Sequence, residues 1–126
     1  MPLVRIELRR GHDADFRAAV ADVVHSALVE VMGVPVGDRF QVVTEHAGGL
    51  IISQEYLGIA HTDDVVLVQV CLNEGRTVEQ KRAFYAAVAG GVHDRVGLRA
   101  EDVVINLVEV KKENWSFGNG EAQYAT

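Results

Sequence analysis

Three residues of this 126-residue chain have side chains or backbone groups suited to proton transfer and charge stabilisation on a small oxo acid, although they stand far apart: Pro2, Asp38 and Arg76. A methionine ahead of proline is readily trimmed. Pro2 would then carry a secondary amine, a base whose charge state responds to neighbouring charges. A carboxylate such as Asp38 beside that amine favours its protonated form or orients a water molecule. Arg76 acts on the amine in the opposite sense, so the residue types alone leave its net charge open. The guanidinium can also grip a substrate carboxylate by two parallel hydrogen bonds, which lysine does less well.

Other reactive side chains are less suggestive. Cys71 lies in the apolar run Val65 to Leu72 and reads as a buried small hydrophobe with no internal disulfide partner. His12, His25, His46, His61 and His93 show no metal-binding spacing, so no metal is expected. Gly48-Gly49 and Gly118-Asn119-Gly120 lack the strand-to-helix context of a phosphate loop and read as turns.

Bringing residues 2, 38 and 76 together requires a particular architecture, and an internal repeat supplies it. When each residue is set beside the one 64 positions later, Gly11 falls on Gly75, Gly33 on Gly97 and Asp38 on Asp102. The segment Leu3 to Leu8 falls on Leu67 to Leu72, with four of six positions aliphatic in both. Each half, 2–46 and 66–110, opens with a strand. Val4, Ile6 and Leu8 alternate with polar residues, whereas Val65 to Leu72 is apolar almost throughout. Helical spacing follows, carried by Phe16, Val20, Val23, Ala27, Leu28 and Val31 in one half and by Phe84, Val88, Val92 and Val96 in the other. Asp13 caps the first helix, Thr77 with Gln80 forms a capping box on the second, and Gly33 and Gly97 end them.

Strands over Arg39 to Thr44 and Val103 to Val110 complete a β-α-β unit written twice, an α/β (α+β) chain with parallel strands within each half. Residues 48–64 are expected to hold a short hairpin around Leu50-Ile51-Ile52. A pseudo-twofold axis would set the two first strands side by side and antiparallel, giving a four-stranded mixed sheet with both helices on one face. Val104 and Val108 would then leave the other face apolar, so oligomerisation is expected. The same topology sets Pro2 beside the end of the third long strand, which runs into Asn73-Glu74-Gly75-Arg76, with Asp38 nearby. In the second half Val66 replaces Pro2, so one end alone has the amine, and Asp102 reads as a turn residue.

Composition sets the outer limits. With 48% hydrophobic and 24% charged residues, the chain reads as one soluble domain, 1–126, with residues 111–126 an aromatic C-terminal segment. No apolar run nears the roughly 20 residues of a membrane span, and no leader-like segment is present, so a cytoplasmic location is expected. The net charge is −6 with 12 scattered basic residues, which argues against nucleic-acid binding and requires a local basic pocket for an anionic substrate.

Met1-Pro2-Leu3, Gly33-Val34-Pro35 leading to Asp38-Arg39-Phe40, Gly75-Arg76-Thr77 with Glu79-Gln80-Lys81, and Trp115-Ser116-Phe117-Gly118 together resemble malonate semialdehyde decarboxylases of the tautomerase superfamily. The likeness spans essentially the whole chain and implies a cofactor-free homotrimer of the duplicated β-α-β fold. It implies Pro2 as the catalytic proline, Asp38 as its neighbouring aspartate, Arg76 as the carboxylate anchor, and Trp115, Phe117 and Tyr124 as an apolar wall. The two aromatics at 115 and 117 also suit subunit packing. One position departs from the pattern: Glu74 stands where better-known decarboxylases carry a second arginine, a feature shared with a divergent subgroup. The resemblance implies decarboxylation of 3-oxopropanoate, through a cationic Pro2 or an iminium, with companion hydratase activity. Two alternatives stand beside it: a keto-enol tautomerase with neutral Pro2 as base, and a non-enzymatic ligand-binding or assembly module.

Overall fold

Side-chain alternation along the first strand decides which way the sheet faces. In β1 (Leu3–Arg9), Val4, Ile6 and Leu8 are buried while Arg5 is exposed, so the even positions turn inward. In the computed structural model, which describes residues 1–125, β1 lies inside a four-stranded sheet. Its neighbours are β2 (Phe40–His46), parallel to it, and the strand Val66–Asn73, antiparallel to it. A two-stranded hairpin, β3 (Glu55–Tyr56) and β4 (Ile59–Ala60), precedes that antiparallel neighbour, which is therefore β5. β6 (Val103–Val110) pairs parallel with β5, and the order is β2-β1-β5-β6.

Both long helices cover one face. α1 (Ala14–Met32) begins with the Asp13 carboxylate accepting the Phe16 amide, and α2 (Val78–Val96) with a complete Thr77–Gln80 capping box. Gly33 and Gly97 end them in the left-handed region at the same φ of 73°, which glycine adopts without a Cβ penalty. Val20, Val24 and Leu28 of α1 and Phe84, Val88 and Val92 of α2 pack on the inward residues of β1 and β5. Val103, Ile105 and Leu107 join that core, which puts Val104 and Val108 of the same strand on the opposite face, as their alternation requires.

The repeat extends to ion pairs. Arg17 meets Glu45 at 3.2 Å in the first half, and 64 positions on Lys81 meets Glu109.

Two expectations need correction, and a third, Asp102 as a turn residue, gains a structural role. The hairpin falls at residues 55–60, not at Leu50-Ile51-Ile52, where Ile51 is 90% exposed and unpaired. The tight turn needs a left-handed pair, and Leu57-Gly58, at φ 52° and 80°, supplies it. Cys71 is half-buried on the uncovered face of the sheet, because its place in β5 is out of phase with Val70 and Leu72. Asp102 is fully buried and accepts both the Thr62 amide at 2.8 Å and the Thr62 hydroxyl, so it anchors the segment entering β5.

Candidate active site

The ends of three strands meet at one edge. β1 registers Leu3 against Cys71 of β5 and against Phe40 of β2. Continuing those pairings outward sets Pro2 across from Leu72 and beside Arg39, with position 1 across from Asn73. Pro2 is buried there.

Asp38 stands just before β2 in a short turn, its amide donating to the Pro35 carbonyl at 3.0 Å. Its carboxylate Oδ2 lies 3.1 Å from the terminal ammonium of Met1, and the Asp38 side chain is about one-third exposed. A carboxylate is thus already facing the cationic end of the chain. Trimming of Met1 would bring the cationic centre back to Pro2, on the same side.

Arg76 follows β5 and the Gly75 turn, where φ is 118°. Its Nη1 donates to the Asn73 carbonyl at 2.9 Å and its Nη2 to the Met32 carbonyl at 3.3 Å. Arg76 precedes the Thr77 cap of α2, whose N-terminal dipole disfavours a cation. The side chain reaches instead to the last turn of α1, where exposed carbonyls and the negative end of the dipole stabilise a cation. Among the described residues no carboxylate forms an ion pair with Arg76. Its charge is held in place by carbonyls and left available to an anion.

The C-terminal segment returns over this edge. The 3₁₀ turn Lys112–Asn114 directs Trp115 inward, where its Nε1 donates to Asn73 Oδ1 at 2.7 Å. Phe117 stacks on Trp115 with ring centroids 5.4 Å apart, meets Tyr124 edge-on at 5.1 Å, and reaches Phe40 of β2 at 5.8 Å. Gln123 ties the loop by accepting from the Phe117 amide and donating to the Gly118 carbonyl, each at 2.9 Å. An open groove of about 640 Å³ lies beside this wall, lined by Asn73, Glu74, Val110, Lys111, Lys112 and Tyr124 among others.

The structure therefore brings Asp38, Pro2, Arg76 and the aromatic trio of Trp115, Phe117 and Tyr124 to the same end of the sheet. Asp38 and Arg76 are not in contact as an ion pair; each has its own partners. Two participants were missed from sequence. Phe40 extends the aromatic wall, and its position in an exposed strand start gave no sign of that. Asn73, 6% exposed, joins the Arg76 and Trp115 contacts, and only the rarity of a buried amide at a strand end could have pointed to it.

Glu109 sits behind Arg76. The hydrogen bond from Lys81, then that from the Gly75 amide, hold its carboxyl below the ordinary value of 4.5. This braces the turn from which Arg76 projects. Each of the five histidines has a partner outside any metal cluster, and among the described residues no group of three potential ligands is assembled. Among the described residues no helix is long and apolar enough to cross a membrane.

A duplicated β-α-β sheet with a proline at the tip of β1 and a basic, aromatic-walled edge defines a class, and comparison with known proteins names it. Two family models described as tautomerase enzyme match residues 38–118 and residues 2–56, and the chain belongs to the tautomerase family. It is 36% identical over 124 residues to the Bacillus subtilis (strain 168) protein named "Probable tautomerase YusQ", covering 98% of both chains. Among solved structures, it is similar to the FG41 malonate semialdehyde decarboxylase inhibited by 3-bromopropiolate, at 40% identity and TM-score 0.90, over 97% of this chain and 93% of that one. A second malonate semialdehyde decarboxylase, studied for its decarboxylase and hydratase activities, matches at 33% identity and TM-score 0.89 over 97% and 95% of the two chains. A fused 4-OT symmetric trimer matches at 28% identity and TM-score 0.78 over 98% of each.

Proposed function

We propose that this chain is an N-terminal-proline enzyme that decarboxylates 3-oxopropanoate, with companion hydratase activity on unsaturated acids of similar size. The observation that carries this reading is the Asp38 carboxylate 3.1 Å from the chain's terminal cation, at the same edge as an arginine without a carboxylate partner. The likeness to two malonate semialdehyde decarboxylases over nearly the whole chain supports the choice of substrate.

In the mechanism, Arg76 binds the substrate carboxylate and turns it out of the carbonyl plane. Cationic Pro2, kept protonated by Asp38, hydrogen-bonds the aldehyde oxygen. The bond between the carboxylate carbon and the methylene breaks, its electron pair moves into the carbonyl system, and neutral carbon dioxide leaves. The resulting enolate takes a proton on carbon, giving acetaldehyde. Trp115, Phe117 and Tyr124 exclude water from the carboxylate, which favours its conversion to an uncharged product. We further propose that the active unit is a homotrimer, in which the uncovered sheet face, with Phe40 at 47% and Val42 at 41% exposure, is buried between copies.

Acetaldehyde formed from 3-oxopropanoate by the purified trimmed protein, and lost in Pro2→Ala, is the expected result. No acetaldehyde above that control sinks the decarboxylase. The tautomerase reading has the likeness to YusQ in its favour and predicts the opposite pH profile. Turnover of an enolised aryl pyruvate would rise as Pro2 loses its proton, whereas decarboxylation by a cationic Pro2 would fall.

A further inference from the structure

We propose that Asn73 is a further catalytic residue, its amide nitrogen placed to donate to the carbonyl oxygen of the bound oxo acid; the inference rests on the reading of the site given above. Asn73 is one of three buried polar or charged residues among the described residues and is 6% exposed. Its orientation is fixed by chemistry. The indole Nε1 of Trp115 can only donate, so the amide atom 2.7 Å from it is the oxygen. The nitrogen then points the other way and has no hydrogen-bond partner among the described residues. Since no fully buried side-chain nitrogen or oxygen lacks a partner among them, this one still reaches solvent, and Asn73 is part of the groove wall.

Position makes that donor useful. The β1–β5 register sets Asn73 across from position 1, the place vacated when Met1 is trimmed, and so beside the Pro2 nitrogen. Its own carbonyl accepts from Arg76 Nη1 at 2.9 Å, which fixes the amide relative to the guanidinium. A short oxo acid with its carboxylate on Arg76 presents its carbonyl oxygen to this stretch of wall. As the carbon–carbon bond breaks, negative charge gathers on that oxygen, and a donor locked in place by Trp115 needs no rearrangement to meet it. A residue that merely supported the indole would need only its oxygen.

The test uses ¹⁵N-labelled, trimmed wild-type protein titrated with malonate, whose second carboxylate stands in for the carbonyl oxygen. The Asn73 side-chain NH₂ signals, identified by their absence in Asn73→Asp, are expected to shift together with the Gly75 and Arg76 amides. The Asn73→Asp variant keeps an acceptor for Trp115 but loses the donor, and its kcat on 3-oxopropanoate is expected to fall about 100-fold. Malonate binding that moves Gly75 and Arg76 but leaves the Asn73 NH₂ pair unmoved overturns the role of Asn73 and leaves the proposed function standing, as does a folded Asn73→Asp variant with wild-type turnover. Wild-type protein that neither binds malonate nor turns over 3-oxopropanoate overturns both.

Discussion

Asp38 and Asp102 occupy the same point of the repeat, 64 positions apart and just ahead of β2 and β6, yet they serve different ends. Asp38 is partly exposed and faces a terminal ammonium. Asp102 is sealed from solvent and accepts two hydrogen bonds from Thr62, with Arg99 at 3.6 Å. The contrast continues around them. Where one end has Pro2, the other has Val66, 1% exposed. Where one has Arg76 without a carboxylate partner, the other has His12, stacked on Phe16 at 3.8 Å and paired with Asp64 at 3.3 Å. At the second end the linker residues 62–64 run into β5 and consume the polar groups. The duplicated scaffold offers two similar edges, and what distinguishes them is whether local chain satisfies the charges or leaves them for a substrate.

Substitutions at equivalent positions separate the two roles. Asp102→Ala empties a sealed position and removes the acceptor that ties Thr62 to the sheet, and it is expected to cost about 2 kcal/mol, read as a lower Tm and denaturation midpoint. Turnover per folded molecule should be unaffected. Asp38→Ala should do the reverse, lowering kcat on 3-oxopropanoate about 100-fold, or about 2.7 kcal/mol, with little change in Tm. Equal destabilisation by both would erase the distinction. Arg76→His writes the first half's residue into the second and removes the two-pronged carboxylate grip. A fall in kcat/KM of about 30-fold, mostly through KM, is expected from steady-state kinetics.

The helices provide a finer comparison. Gly90-Gly91 of α2 stand where α1 has Ser26-Ala27, and a Cβ on Gly91 would come within 2.6 Å of Val23 Cγ1 across the helix pair. Gly91→Ala should destabilise by about 1 kcal/mol, since the stiff valine and the packed core yield poorly. At Gly90 nothing lies within 4 Å, and Gly90→Ala should stabilise by about 0.5 kcal/mol. Thermal melts of the two variants should move in opposite directions.

The smallest effect concerns the paired bridges. The Glu109 carboxyl is held below 4.5 by Lys81 and the Gly75 amide, so its contribution is present above that pH and is lost as pH falls through the lower folded-state value. Glu109→Gln should therefore lie slightly below the wild type at neutrality and show a flatter acid limb, so that the two stability-versus-pH curves converge as pH falls below about 4.5. Glu45→Gln, at the equivalent bridge, provides the reference.

Much of the scaffold was readable because its signals were written twice. Asp13 and Thr77, Gly33 and Gly97, and the alternation of Val4, Ile6 and Leu8 are local features with local causes. What was misread or missed arose where the deciding feature lay outside the segment being read. Ile51 and Ile52 looked like strand residues because apolar runs usually pair, but the turn chemistry that permits a hairpin was at Leu57-Gly58. Asp102 read as a turn residue, and its anchoring of Thr62, forty positions away, had no signal in the sequence. The contact of Arg76 with the Met32 carbonyl at the end of α1 likewise joins residues forty-four positions apart, which no local pattern announces. For the site, the resemblance named Trp115, Phe117 and Tyr124, but the contact that orients the indole, through Asn73, exists only in three dimensions.

The strand that holds Pro2 is an interior member of the sheet, paired on one side with residues of its own half and on the other with Val66 to Cys71. During synthesis, then, the first half must leave the ribosome with one side of β1 unpaired, and it waits as an open template until the second half has been made. Closing that seam is a long-range step, intrinsically slow and exposed to misassociation. A crowded cell making this protein has most to gain from a chaperone during the interval between translation of residue 46 and of residue 73.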